Sequence, residues 1–112
     1  MKIDVTASDD ITIIKPYDDI RVNTMIKLRG VFENLLNEGT LKVAVDLANV
    51  ALIDSSGIGL LMNFGKRQKD KNGCLCLYNY SEDIKELLDF VEMGNFIPVY
   101  KTFDEVKEAL SE

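Results

Sequence analysis

The sequence predicts an α/β domain with a mixed, mostly parallel β-sheet, an N-terminal hairpin and about four helices. Short apolar segments with a period of two alternate with longer segments whose apolar residues repeat about every 3.6 positions, which gives the order ββαβαβαβα. Val43, Val45 and Leu47 alternate, and Ala44 between them is also apolar, as a strand covered on both faces requires. A chain of 112 residues is long enough for one hydrophobic core, so we expect a single domain over residues 1–112.

The chain is predicted to open with a hairpin. Residues 2–7 and 11–14 have the alternation of strands, and residues 8–10 between them, Ser-Asp-Asp, are typical of a turn. Pro16 has no backbone N–H to donate, so we expect it to end the ladder.

The first helix is predicted to follow Asp18 and Asp19. Gly39 is its expected stop, because glycine readily adopts the left-handed conformation found after helix C-termini. The predicted apolar stripe comprises Val22, Met25, Ile26, Phe32 and Leu36, widened by Leu28, Val31 and Leu35.

The central strand leads through a short apolar link, residues 50–53, into a second helix. The period changes to about 3.6 from Ile58 onward. Asp54 or Ser55 is the expected N-cap, since each has an oxygen that can accept from the first helix N–H groups. This arrangement places Ser55 and Ser56 where the backbone donors and the positive end of the helix dipole point outward.

The remaining elements continue the alternation. Residues 74–80 are a largely apolar strand, and Ser81 is the expected cap of a helix with acidic residues in its first turn. Residues 97–100 form a short strand that Pro98 would confine to a sheet edge. Residues 102–105 match a capping box that opens the last helix.

Composition and charge exclude several classes of function. The net charge of −6 argues against a nucleic-acid surface, which needs a basic patch. No run of about 18 apolar residues exists to span a membrane, and the N-terminus lacks the apolar core of a signal peptide, so we expect a cytoplasmic protein. The basic residues Lys66, Arg67, Lys69 and Lys71 close a helix, where cations complement the dipole.

The sequence also lacks the residues of familiar catalytic systems. It contains no histidine, which excludes Ser-His-Asp and Cys-His nucleophiles and any histidine metal ligand. Cys74 and Cys76 lie two positions apart on a predicted strand, so we expect buried thiols in a reducing compartment and not a disulfide or a redox pair. We therefore expect no catalytic residue, cofactor or metal ion, and no enzyme activity.

Residues 45–61, VDLANVALIDSSGIGLL, resemble the signature of STAS domains. This family includes anti-sigma factor antagonists and domains of sulfate transporters and lipid-transport complexes. The order of elements is similar over essentially the whole chain, and the Asp-Ser-Ser-Gly-Ile-Gly match is specific. The resemblance implies a STAS-like fold.

The resemblance also implies a switch in partner binding. In the antagonist branch, the serine immediately before the first glycine is phosphorylated, and that serine is Ser56 here. The unphosphorylated protein would bind an anti-sigma factor that is itself a serine kinase and so release the sigma factor. Phosphorylation would end the binding, and a PP2C-type phosphatase would restore it. The implied partner-binding residues are Asp19, Asp54, Ser55, Ser56, Gly57, Ile58 and Gly59.

One segment departs from the family pattern. Members often have Gly-x-Leu-Asp and then a threonine before the first helix, whereas this chain has KPYDDIR at residues 15–21. The glycine and leucine are missing, and Asp18 or Asp19 takes the place of the aspartate. The departure affects the identity of the partner more than the fold.

The residues themselves are compatible with such a switch. A phosphate of roughly −1.5 to −2 charge is accommodated at a helix N-terminus. Gly57 and Gly59 are expected to leave the helix start bare, so that the backbone of another protein can approach. Ser55 is the expected capping serine, and Ser56 is expected to present its hydroxyl to a kinase.

Two other classes of function are considered. One is a non-phosphorylated STAS interaction subunit of a transport or signalling complex, which the retention of Ser56 disfavours. The other is an enzyme or a phosphoaspartate receiver, with Asp9, Asp10 and Asp46 as its acidic pocket. The opening hairpin disfavours a receiver, as does the predicted place of Asp46 within its strand instead of at the carboxyl end.

Overall fold

The computed structural model describes residues 1–111. It contains five strands and four α-helices in the predicted order, so the predicted fold class is confirmed. The elements are β1 (Ile3–Ser8), β2 (Ile11–Pro16), α1 (Met25–Asn37), β3 (Lys42–Asp46), α2 (Ser55–Asp70), β4 (Cys74–Tyr78), α3 (Glu82–Phe90), a 3₁₀ turn (Met93–Asn95), β5 (Val99–Tyr100) and α4 (Phe103–Leu110).

The strands form one sheet in the order β1-β2-β3-β4-β5. β1 and β2 are antiparallel, and all other neighbours are parallel. Because the order advances in one direction from β2 to β5, right-handed crossovers place α1, α2 and α3 on the same face of the sheet. We call the side of Val43 and Val45 the three-helix face, and the side of Ala44 and Cys76, which α4 covers, the one-helix face.

The three-helix face holds the larger core. Phe32 of α1 and Phe64 of α2 stack with their ring centroids 4.8 Å apart, above the strands. On the one-helix face, Val106 of α4 is fully buried, and Phe103 packs against Tyr78 at 5.5 Å between ring centroids. The two faces make the central strands apolar on both sides, as the sequence indicated.

The predicted hairpin is confirmed. Asp9 and Asp10 form its turn with φ values of 52° and 64°, a left-handed pair that suits the twist of a two-residue loop. The strand ends at Pro16 as expected, and Pro16, its last residue, lies opposite Ile3. Tyr17, the next residue, donates its N–H to Lys2 at 2.9 Å, so the nitrogen of Pro16 points away from β1 and loses no pairing there.

The start and the apolar stripe of α1 differ from the prediction. The helix begins at Met25, and the side chains of Val22 and Ile26 are 62% and 73% exposed. Their predicted burial is wrong for two reasons. Ile20, fully buried, forms a parallel bridge with Ile53, so Val22 lies before the helix, and Ile26 lies on the exposed side of α1. The buried residues of α1 are Met25, Leu28, Phe32, Leu35 and Leu36.

Most predicted element ends are confirmed. Gly39 follows α1 with φ +76°, and Ser81 and Thr102 accept from the backbone N–H groups three residues on, each at 3.2 Å. β4 ends at Tyr78, two residues earlier than predicted, because Asn79 adopts a left-handed φ of 64°. β5 is an edge strand. Within residues 1–111, every helix is too short or too polar to cross a bilayer.

The two cysteines are free thiols. Cys76 is buried on the one-helix face, and burial raises the pKa of its thiol to about 12. Cys74 is half-buried, and desolvation raises its pKa as well. Thiols with raised pKa values are weak nucleophiles, which agrees with a packing role.

Candidate functional site

The site is built around the first turn of α2. Asp54 is the N-cap, and its Oδ1 accepts from the N–H of Gly57 at 2.8 Å. Its backbone carbonyl accepts from the N–H of Ile58 at 2.9 Å, which closes the first helical turn. The capping role that the sequence gave to Asp54 or Ser55 therefore belongs to Asp54.

Asp54 also joins α2 to the segment before α1. Its second carboxylate oxygen, Oδ2, accepts from the N–H of Val22 at 3.0 Å. Around it, Ile20 donates to the carbonyl of Leu52 at 2.9 Å, and Asp54 donates to the carbonyl of Ile20 at 3.0 Å. Two segments more than 30 positions apart in the chain are thus held together by backbone pairing and one carboxylate.

The pKa of Asp54 is lowered from its ordinary value. The main causes are the hydrogen bonds from the N–H groups of Gly57 and Val22; the N–H of Ser56 and the charge of Arg21 add to them. All of these stabilise the ionised carboxylate. Asp54 is therefore a carboxylate at neutral pH, and it brings a negative charge beside the serines.

Residues 18–24 form a hydrogen-bonded loop on the other side of Asp54. The Thr24 hydroxyl donates to the carbonyl of Asp19 at 2.6 Å and accepts from the N–H of Arg21 at 3.0 Å. Arg21 Nη2 pairs with Asp19 Oδ2 at 2.8 Å, and Asp18 accepts from the N–H of Asp19 at 2.7 Å. The loop thus carries two carboxylates and one guanidinium next to the start of α2.

The two serines occupy the first two positions of α2. Ser55 is exposed and Ser56 is half-buried. Among residues 1–111, neither hydroxyl has a hydrogen-bond partner, although both lie at a helix start where serines usually cap. The predicted capping role of Ser55 is wrong, because the side chain of Asp54 accepts from the free N–H at the start of α2 instead.

The two glycines of the turn differ in their surroundings. A Cβ on Gly57 would lie 2.6 Å from the carbonyl oxygen of Ile20 and 2.8 Å from Cγ2 of Ile53. A Cβ on Gly59 would meet nothing within 4 Å. The expectation that Gly57 leaves the surface bare for a partner is therefore wrong. Gly57 lies against Ile20 of the same chain, and the space there is too small for a Cβ atom. Gly59 is exposed, as expected.

The structure brings most of the predicted site residues together. Asp19, Asp54, Ser55, Ser56 and Gly59 lie on adjoining segments at the exposed or half-exposed start of α2. Gly57 and Ile58 are buried beneath them, so they shape this surface from inside.

Sequence reasoning missed the contacts of Ile20, Arg21, Val22 and Thr24. Ile20 and Val22 bond to Asp54, which lies more than 30 positions away in the chain. The bonds of Arg21 and Thr24 are local, but the pattern placed the helix start where this loop runs. One signal was available. Asp18 and Asp19 precede a threonine by several residues, which is typical of a polar loop before a helix rather than of the helix itself.

The acidic residues considered for a receiver pocket lie apart. Asp46 is the last residue of β3, so its predicted place inside the strand is wrong. It is buried and accepts from the N–H of Ala48 at 2.9 Å and from Nδ2 of Asn79 at 3.1 Å. Asp10 pairs with Lys42 at the opposite end of β3, at 3.2 Å. Among the described residues, no group of three or more Cys, Asp or Glu side chains is arranged to hold a metal ion.

Comparison with known families gives the affiliation of the chain. The sequence model of the STAS domain family matches residues 2–109. The chain belongs to the STAS domain family. The anti-sigma-B factor antagonist of Staphylococcus epidermidis is 34% identical to this STAS domain over 101 residues, which are 88% of this chain and 92% of that protein.

Solved structures support the same fold. A Thermotoga maritima protein assigned as an anti-sigma factor antagonist superposes with a TM-score of 0.90 at 24% identity, over 96% of this chain and 93% of that one. The Bacillus cell fate determinant SpoIIAA in its phosphorylated form superposes with a TM-score of 0.73 at 15% identity, over 98% of this chain and 100% of that one. At these identities the likeness establishes the STAS fold alone.

Proposed function

We propose that this STAS domain is an anti-sigma factor antagonist whose binding is switched by phosphorylation of Ser56. The observation that carries the proposal is the state of the Ser56 side chain. Its hydroxyl lies at the second position of α2 without a hydrogen-bond partner among residues 1–111, while Asp54 caps the helix. The serine is therefore available for modification without loss of a structural contact.

The proposed partner is an anti-sigma factor that is also a serine kinase. The unphosphorylated protein binds this partner, which then releases its sigma factor. In the transfer step, Ser56 Oγ forms a bond to the γ-phosphorus of ATP held by the kinase, the bond to the β-phosphate oxygen breaks, ADP leaves and the serine proton passes to a base of the kinase. A PP2C-type phosphatase hydrolyses the phosphoserine and restores the binding form. The name of the staphylococcal relative and the phosphorylated state of SpoIIAA support this assignment.

The proposed contact surface consists of Asp19, Asp54, Ser55, Ser56 and Gly59, with Gly57 and Ile58 supporting it from below. A phosphate there is tolerated by α2, because it lies at the positive end of the helix dipole. A partner closed over it would bury a dianion beside the Asp54 carboxylate, which costs several kcal/mol without a cation from the partner. A loss of about 3 kcal/mol weakens binding roughly a hundredfold.

The chemistry of the cycle is assigned to the partners. The chain has no histidine, and its two thiols have raised pKa values, so it offers no activated nucleophile of its own. The protein acts as a binding module that is modified and not as an enzyme.

The proposal is tested with purified candidate kinases and ATP. Intact-mass measurement should show one added phosphate on the wild type and on Ser55→Ala, and none on Ser56→Ala. Since Asp54 provides the cap, both variants should keep the melting temperature of the wild type. A label that maps to Ser55 alone would move the site by one residue.

Binding is then titrated with the enzymatically phosphorylated protein. We expect its affinity for the kinase partner to be about a hundredfold or more below that of the unmodified protein, with an unchanged circular dichroism spectrum. Equally tight binding by both forms would refute the switch. Ser56→Asp should weaken binding in the same direction, although the enzymatic product decides, because a carboxylate imitates a phosphate incompletely.

A further inference from the structure

Arg21 is a cation on the segment that contacts Asp54, the N-cap beside the proposed modification site. Of the ion pairs among residues 1–111, only the pair between Arg21 and Asp19 lies on the segment that touches Asp54. The pair is 2.8 Å long, and the side chains of Arg21 and Asp19 are 48% and 25% exposed. A contact so open to solvent contributes little to stability and is readily exchanged for another.

Asp54 links the backbone beside Arg21 to the backbone beside Ser56. Val22, bonded to Arg21 in the chain, donates its N–H to Asp54 Oδ2 at 3.0 Å. On the other side, Asp54 Oδ1 accepts from Gly57, the neighbour of Ser56, at 2.8 Å. The Asp54 carboxylate therefore bonds to the residue after Arg21 and to the residue after Ser56. The guanidinium of Arg21 extends from the first of these two linked segments.

We propose that Arg21 is the phosphate-binding residue of this site, and that phosphorylation of Ser56 moves its guanidinium from Asp19 to the phosphate. The inference rests on the proposed function only in taking Ser56 as the modified residue. A phosphate has about twice the charge of a carboxylate and three acceptor oxygens, so a guanidinium binds it in preference. The carboxylates of Asp18, Asp19 and Asp54 add negative charge near the phosphate, so a cation stabilises the phosphorylated site more strongly.

The exchange changes two parts of the contact surface in one step. Ser56 gains a dianion, and Asp19 loses its cation and becomes an unpaired carboxylate. Because Asp19 belongs to the proposed partner surface, the partner meets altered charge at two places instead of one. The backbone remains in place, since the Thr24 bonds to Asp19 and Arg21 involve main-chain atoms that do not depend on the Arg21 side chain.

The test uses protein with phosphoserine incorporated at position 56 during translation, so it requires neither a kinase nor a partner. Phosphorus NMR follows the second ionisation of the phosphate, ordinarily near pH 6. An adjacent guanidinium favours the dianion, so we expect this pKa to be lower in the Arg21 protein than in Arg21→Gln by about half a unit or more. Asp19→Asn removes the competing carboxylate and should lower the pKa further.

The matched control is Lys27→Gln, which removes one positive charge from an exposed residue near the start of α1. It should leave the phosphate titration unchanged. Equal titrations of the wild type and Arg21→Gln would overturn the inference, as would equal shifts in Arg21→Gln and Lys27→Gln, which would show a general effect of charge. Failure of every kinase to modify Ser56 would refute the proposed function and leave this result intact.

Discussion

The two ends of α2 are anchored by different means. At its C-terminal end, Gln68 is 4% exposed, and the two hydrogens of its side-chain NH2 are shared among three backbone carbonyls within 3.4 Å. These carbonyls belong to Thr40, Leu41 and Cys74. At its N-terminal end, one carboxylate, that of Asp54, makes both side-chain contacts with the backbone.

This difference shows how a helix can be fixed and still offer reactive groups. The NH2 group of the buried Gln68 amide joins α2 to the loop before β3 and to the first residue of β4. At the other end, because Asp54 does the same for the loop before α1, the hydroxyls of Ser55 and Ser56 are left without a structural task. The candidate site therefore occurs where the anchoring depends on a residue other than the serines.

The largest effect is expected at the glycine that the N-terminal anchor requires. Gly57→Ala forces a Cβ against the Ile20 carbonyl, which is backbone and cannot rotate away, so we expect a loss of about 3 kcal/mol in the free energy of unfolding. Gly59→Ala, its matched control in the same turn, meets open space and should stabilise the protein by about 0.5–1 kcal/mol. Urea unfolding at neutral pH measures both. Changes of the same sign in the two variants would contradict the packing role of Gly57.

A somewhat smaller effect is expected at the C-terminal anchor. Gln68→Leu keeps the approximate size of the side chain but removes its hydrogen bonds to the carbonyls of Thr40, Leu41 and Cys74, so we expect the free energy of unfolding to fall by about 2 kcal/mol. Lys69→Ala, on the exposed side of the same turn, should change it by less than about 0.5 kcal/mol. If both variants unfold at the wild-type urea concentration, the amide is not an anchor.

The smallest effects concern pH and salt. Each end of α2 has a carboxyl group whose pKa is lowered: Asp54 chiefly by backbone N–H groups, and Glu33 chiefly by its hydrogen bond with Arg67. A lowered pKa in the folded state means that the stabilisation is complete above the ordinary carboxyl pKa and is lost as pH falls below it. Melting temperatures measured from pH 7 to pH 2 should therefore fall less steeply for Asp54→Asn and Glu33→Gln than for the wild type.

Salt should separate these two carboxyl groups. The Glu33–Arg67 pair, 2.8 Å long and about 40% exposed on both sides, is screened in 1 M sodium chloride, where the Debye length is about 3 Å. The effect of Glu33→Gln should therefore shrink in salt, while that of Asp54→Asn persists, because hydrogen bonds to the backbone are not screened in this way. Equal salt sensitivity would mean that Asp54 acts mainly through charges such as Arg21.

Local chemistry made most of the fold predictable. Gly39, Ser81 and Thr102 act as caps and stops within a few residues of their own positions, and Asp9 and Asp10 form a turn with their immediate neighbours. The place of Ser56 at a helix start was predictable for the same reason. Each of these features depends on neighbours in the sequence and needs no knowledge of the tertiary structure.

The misjudged features depend on contacts between distant parts of the chain. Ile20 and Ile53 form a bridge 33 positions apart, and this bridge keeps Val22 out of the helix that its apolar character suggested. The crowding at Gly57 comes from the carbonyl of Ile20, which helical periodicity cannot reveal. The pair between Arg21 and Asp19 is local, but the loop that holds it is fixed by the hydrogen bond from Val22 to Asp54, 32 positions away.

The position of α4 on the one-helix face has a consequence for local unfolding of the protein. Within residues 1–111, this helix is the last element, and it packs on its face of the sheet without another helix beside it. If α4 alone detaches, the three-helix core stays closed, whereas Ala44, Cys76 and Tyr78 meet water. The partly open molecule therefore carries one intact core and one exposed apolar strip, and this strip is where aggregation would begin or a chaperone would bind.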